Sequence, residues 1–189
     1  MIANHHTKYL TFDVLEDGNF SFSKKGTGDD IQYSKDNGST WTSLASDEPV
    51  SVVTGDKVMW KSTLRPLETT GIGKFSSSGT FNIRGNIMSL LYGDDFVDKT
   101  DLTGLDWCFH PLFMGTNVVD ASKLILPATA LARGCYGNMF NKCKSLTTAP
   151  ELPATTLAAS CYNYMFLGCS SLTTAPELPA TVLRSNCYF

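Results

Sequence analysis

The stretch Ser145-Leu146-Thr147-Thr148-Ala149-Pro150-Glu151-Leu152-Pro153-Ala154-Thr155 recurs unchanged at Ser171–Thr181, 26 residues later. Aligning the chain on its cysteines extends the pattern in both directions. Cys108-Phe109-His110-Pro111-Leu112-Phe113 matches Cys135-Tyr136-Gly137-Asn138-Met139-Phe140, then Cys161-Tyr162-Asn163-Tyr164-Met165-Phe166, and Cys187-Tyr188-Phe189 opens a fourth copy. Cys143 and Cys169 form a second column, and Leu-Pro-Ala-Thr appears at 126–129, 152–155 and 178–181. A fixed period of this length marks a stacked array, in which each unit buries the apolar face of its neighbour.

Within one repeat, Leu157, Cys161, Met165 and Phe166 fall at steps of four, four and one after Pro153. That spacing predicts a helix starting at Pro153 and ended by Gly168. Leu172–Ala175 is expected to be a short strand stopped by Pro176. Stacking should place Leu146 on Leu172, Leu152 on Leu178 and Phe140 on Phe166. The cysteine columns are expected to be small buried apolar groups, with disulfides between coils as the alternative. No CxxC pair accompanies them, which argues against zinc. The exposed edge, and hence the candidate binding face, comprises Thr147, Ala149, Glu151, Thr173, Ala175 and Glu177. One slip of register would exchange its two sides.

The pattern Cys-Tyr-x-x-Met-Phe-x-x-Cys-x-Ser-Leu-Thr-Thr-Ala-Pro-x-Leu-Pro-Ala-Thr-x-Leu resembles the leucine-rich repeats of the BspA-like surface proteins of Bacteroidetes, which also have phage-borne relatives. The resemblance covers residues 107–189. Gly85–Asp94 and the Asn37-Gly38-Ser39-Thr40-Trp41 stretch are similar to the module that commonly precedes such repeats. It implies adhesion to host proteins, other bacteria or surfaces, and it carries no catalytic residues. The chain departs from the pattern in having about three repeats and no visible export signal. No cap is visible at the Cys187-Tyr188-Phe189 end, so truncation, a covering partner or end-to-end homo-oligomerisation is expected there. Ile87, Met88, Leu90, Leu91 and Tyr92 are candidates for the opposite cap.

The N-terminal part alternates with period two. Tyr9–Val14, Phe20–Phe22, Ile31–Tyr33, Val58–Trp60 and Phe81–Ile83 read as strands, separated by Glu16–Asn19, Lys35–Gly38, Thr54–Asp56 and Ser78-Gly79 turns. Such spacing suggests a small antiparallel sandwich. Ser34-Lys35-Asp36-Asn37-Gly38-Ser39-Thr40-Trp41 resembles the Asp-box of sialidase-type propellers. A propeller needs several blades, so a single box reads as a hairpin turn built by Ser34, Asp36, Gly38 and Trp41. Gly71-Ile72-Gly73-Lys74 lacks the spacing of a phosphate loop. The run Asp94, Asp95, Asp98, Asp101 and Asp106 lacks the calcium-loop pattern.

The predicted architecture is therefore an all-β, Ig-like sandwich over 1–84, a linker and solenoid cap over 85–106, and an α/β leucine-rich-repeat solenoid over 107–189 whose last repeat is incomplete. The 189 residues carry a net charge of −3, with 10 basic and 15 acidic residues before 107 and 5 and 3 after it. Neither part is a basic patch, which excludes a nucleic-acid reader. No apolar run is long enough to span a membrane, and the N-terminus lacks the apolar segment of a secretory signal. His5 and His6 have no third ligand nearby, so no metal is expected, and no cofactor is called for. The expected function is a non-enzymatic adhesion module at a cell surface, binding a protein or glycan on a cell or matrix. The alternative is a structural or host-binding component of a phage virion or appendage, and the remote alternative is a glycosidase fragment, which would need a converging carboxylate pair.

Overall fold

A computed structural model of the chain describes residues 8–189. His5 and His6 lie outside them. The fold is β-rich. Strands β1 (Leu10–Val14), β2 (Gly18–Lys24), β3 (Ile31–Ser34), β4 (Thr42–Leu44), β5 (Val50–Val52), β6 (Lys57–Lys61), β7 (Gly73–Ser77) and β8 (Phe81–Asn86) precede one short helix, α1 (Ser89–Tyr92), a 3-10 turn and β9 (Val118–Ile125). The strands read from alternation form as expected, and the Gly- and Asp-bearing segments join them. β4, β5, β7 and β9 are additional.

Two sheets result, ordered β4-β3-β6-β1-β8-β9 and β5-β2-β7. Alternation sends Leu10, Phe12 and Val14 inward with Val58, Trp60, Phe81 and Ile83, all buried. Phe12 lies at the centre, with ring centroids 5.1 Å from Phe20, 5.0 Å from Phe75 and 4.7 Å from Phe81. Tilted and edge-on ring pairs at such separations add about 0.5–1.5 kcal/mol each beyond their burial. Ile87, Met88, Leu90 and Leu91 are also fully buried. α1 is fastened to the sheet by Ser89, whose hydroxyl donates to the Trp60 carbonyl and accepts from the Leu10 amide.

The helix expected after Pro153 does not form. Residues 159–168 are a run of tight turns, as are 133–142 and 106–115. A left-handed backbone angle recurs at every fourth residue: Gly134, Asn138 and Lys142 in one coil, Ser160, Tyr164 and Gly168 in the next. An α-helix cannot contain such residues at regular intervals. The apolar step is also four rather than 3.6. Leu157, Cys161, Met165 and Cys169 all remain buried, whereas three steps on a true helix would have rotated the last of them well off the stripe.

Successive amides in these runs alternate between two tasks. Odd-numbered amides of the second coil donate three residues back, as from Met139 to Tyr136 and from Asn141 to Asn138. Even-numbered amides donate to the next coil: Tyr136 to Cys161, Asn138 to Asn163, Phe140 to Met165 and Lys142 to Leu167, at 2.7–3.0 Å. Every buried amide thus finds a partner without a helix. The expected strand at Leu172–Ala175 is absent as well. Strand geometry is full only in β9, falls to a single parallel bridge, Asp120 with Thr148, in the next coil, and does not reach the third.

The aromatic columns do form. Phe109, Tyr136, Tyr162 and Tyr188 stack at 5.6–5.7 Å with planes within 9°, and Phe140 stacks on Phe166 at 5.8 Å. All six cysteines are buried and unbridged. Cys143 and Cys169 each donate an S–H at 3.0 Å to a carbonyl of the preceding coil, Phe113 and Phe140 respectively.

The array and the sheets share one continuous core. β9 pairs in parallel with β8, matching Arg84 with Lys123 and Asn86 with Ile125. The carbonyls of Cys108 and Leu112, equivalent to those of Cys135 and Met139 that accept from a preceding coil, accept instead from the amides of Ile72 and Phe75. Phe75 stacks on Phe113 at 5.7 Å and 13°, and Phe113 on Phe140 at 5.4 Å. β7 and its lead-in therefore act as the rung beneath the first coil.

Candidate functional site

The six residues of the expected face divide into three settings. Thr147 is exposed at its side chain, yet its amide and hydroxyl both donate to the Val119 carbonyl, at 2.8 and 2.9 Å. It fixes the second coil to β9. Thr173, its repeat counterpart, is exposed and makes no such bond. Ala175 lines an apolar cavity at the C-terminal end of the array, with Tyr162, Phe166 and Leu178.

Ala149, Glu151 and Glu177 come together. They line a groove of about 420 Å³ whose other walls are Pro150, Leu152, Pro153, Pro176 and Pro179. Proline fixes its own backbone angle and offers no N–H. Four of them make a stiff rim whose polar character comes from carbonyls and the two carboxylates. Both glutamates are exposed, and no lysine or arginine among the described residues pairs with either. The groove is thus negative and rigid, with apolar walls, and spans two coils. The signal for it lay in the sequence: Pro150 and Pro153 recur as Pro176 and Pro179. In the sequence Pro153 reads as a helix start and Pro176 as a strand stop, and neither use points to a wall.

The Asp-box-like turn adopts the expected geometry. Ser34 Oγ donates to Asp36 Oδ1 at 2.7 Å and accepts from the Gly38 amide at 2.9 Å. Asp36 accepts from the Thr40 amide at 2.9 Å and the Thr40 hydroxyl at 2.6 Å. Asn37 and Gly38 take left-handed angles, φ 61° and 87°. The Thr40 and Ser34 bonds pull the Asp36 carboxyl down to about 2. Trp41 packs 5.0 Å from the Tyr9 ring, with Lys61 Nζ 4.3 Å from its own centre. Asp94 completes that cluster by accepting from Lys61 at 2.8 Å and from the Tyr9 hydroxyl at 2.7 Å. Ser34, Asp36, Lys61 and Asp94 are all engaged within the fold, which makes the turn a structural fastening.

Among the described residues, no group of three or more His, Cys, Asp or Glu is arranged to hold a metal ion, and no helix is long and apolar enough to cross a membrane. In comparisons with known proteins, no family model, no curated protein and no solved structure matches this chain.

Proposed function

We propose that the chain is a non-enzymatic binding module of the BspA-like leucine-rich-repeat type, an Ig-like sandwich followed by a short solenoid that meets its ligand through the repeats. The observation that carries this is the proline-walled groove, which Glu151 and Glu177 from successive coils both line and where neither pairs with a lysine or arginine among the described residues. A stiff groove orders little on binding and so loses little entropy. Its carboxylates favour a protein segment or glycan that presents an amino or guanidinium group beside apolar surface. The setting is adhesion to a cell or matrix surface.

The test is binding of the protein to intact gut bacteria, mucin and matrix proteins, beside a Glu151→Gln/Glu177→Gln variant. Binding by the parent with loss of about tenfold or more in the variant supports the groove as the recognition surface. Equal binding by both places recognition elsewhere on the molecule.

A further inference from the structure

The outward face of the larger sheet carries a second groove, of about 680 Å³, within the roughly 300–1,000 Å³ of small-ligand sites. Alternation turns Asp13, Met59 and Arg84 outward into it, opposite the buried Phe12, Val58 and Ile83. The turns bearing Asn37 and Asp56 stand at one side, and Lys123 of β9 at the other.

The charge of this groove is one-sided. Both carboxylates that line it are already engaged: Asp13 accepts from Arg84 Nε at 2.7 Å and Asp56 from Lys35 at 2.6 Å. Lys8, Lys57 and Lys123 line it too, and none pairs with a carboxylate among the described residues. Arg84 bonds Asp13 through Nε alone, which leaves both terminal nitrogens for another acceptor.

Arg84 and Lys123 are backbone partners across β8 and β9. Like charges set directly opposite one another destabilise a strand pair. Two one-residue shifts in β9 create this pairing: Phe81 faces Val118, but Asn82 faces Asp120 and Arg84 faces Lys123. Continued without them, the register would put Ala121 beside Arg84; Ala121 is instead fully buried. Bulges of this kind re-aim a side chain and are enriched beside functional sites. Here they bring a second cation to an arginine whose fork is open.

We infer that this groove binds a short acidic saccharide, with its carboxylate or sulfate group between Arg84 and Lys123. The guanidinium fork suits such an oxyanion, and Lys57 adds a cation for a second acid group. Across the groove the exposed Asn37 amide and Asp56 Oδ1, which accepts no bond, call for donors. Sugar hydroxyls supply them, whereas the carboxylates of an acidic peptide do not. The net charge of −3 on the chain opposes a long polyanion, so the ligand is short. Neither Glu151 nor Glu177 takes part, and each groove can fail without the other.

The experiment is isothermal titration calorimetry of the protein with three tetrasaccharides: a κ-carrageenan fragment bearing sulfate, a polygalacturonate fragment bearing carboxylate, and neutral cellotetraose. Saturable one-to-one binding is expected for at least one acidic fragment and none for the neutral one. Which acidic fragment binds identifies the acid group, and either or both supports the inference. Lys57→Gln and Lys123→Gln should each weaken binding about tenfold or more. Both lysines are exposed, so these variants should melt like the parent. Glu151→Gln/Glu177→Gln should leave the titration unchanged. The inference is overturned if neither acidic fragment binds, if cellotetraose binds equally, or if both lysine variants bind like the parent. Hexaglutamate binding as tightly as the saccharides also overturns it, because the groove would then take an acidic peptide.

Discussion

His110 Nδ1 lies 2.8 Å from the carbonyl of Gly137. The flanking amides of Phe109 and Phe113 donate to Cys135 and Met139, so residue 111 should serve Gly137. Residue 111 is proline and has no N–H. The imidazole makes the missing bond. Because a carbonyl only accepts, the proton sits on Nδ1.

His110→Ala should therefore leave a buried carbonyl unpaired and cost about 1–2 kcal/mol of stability in denaturant titration. The effect should depend on pH. Burial lowers the His110 pKa below its ordinary 6.5, outweighing the bond to Gly137. The unfolded chain then binds the proton more readily, so the histidine's contribution is complete above about 6.5 and is lost as pH falls through the lower folded value. The gap between parent and variant should narrow on acidification.

Gly134 and Ser160 occupy equivalent places, both left-handed, with φ 62° and 56°. The backbone there accepts serine, so glycine at 134 answers another demand. A Cβ on Gly134 would stand 2.2 Å from the Trp107 ring. Gly134→Ser should destabilise by about 2 kcal/mol or more through overpacking, while Ser160→Gly should stay within about 1 kcal/mol of the parent. Thermal melts of the two variants give the comparison, and equal effects would count against the Trp107 contact.

Phe75 belongs to no repeat, yet it is the lowest ring of the Phe column. Phe75→Ala should cost about 3–5 kcal/mol. Hydrogen exchange should quicken at the amides of Ile72 and Phe75 as well as in the sheets, because the rung beneath the first coil is lost with the ring. If the Ile72 and Phe75 amides kept their protection, β7 would not be the cap.

Burial pushes the Cys161 and Cys169 thiols up to about 12 and raises those of Cys108, Cys135 and Cys143. Only the thiolate attacks alkylating reagents. Iodoacetamide at pH 8 should leave these five unmodified in the native protein and label them after denaturation, as read by mass spectrometry. Rapid native labelling of Cys135 would contradict its burial.

The Asp36 carboxyl, held at about 2 by Thr40 and Ser34, should stabilise its turn fully above about 3.8 and lose that effect as pH falls through 2. Asp36→Ala should lower Tm at pH 7, and the difference should close towards pH 2.

Much of this could be read in the residues. Period-two stretches such as Leu10–Val14 and Val58–Trp60 declared their strands because one face is buried, and the 26-residue period declared the ring and cysteine columns. The helix after Pro153 was misread because a step of four sits close to 3.6; the later Cys169, on the same stripe, is the residue that separates the two periods. β7 escaped because Gly71-Ile72-Gly73-Lys74 looks like a loop, and its role depends on contacts some forty residues away. For the candidate face, Glu151 and Glu177 were found together with Ala149. Thr147 is exposed, as expected of the edge, but its hydroxyl is held by the Val119 carbonyl, a partner that no local pattern reveals.

β9 is at once the outer strand of the larger sheet and the strand that Thr147 and Thr148 extend. A pull on the array consequently reaches the sheets through parallel hydrogen bonds loaded side by side, not through a slack tether. Under flow, a ligand held by the repeats as proposed above would tug on the whole molecule as one stiff lever.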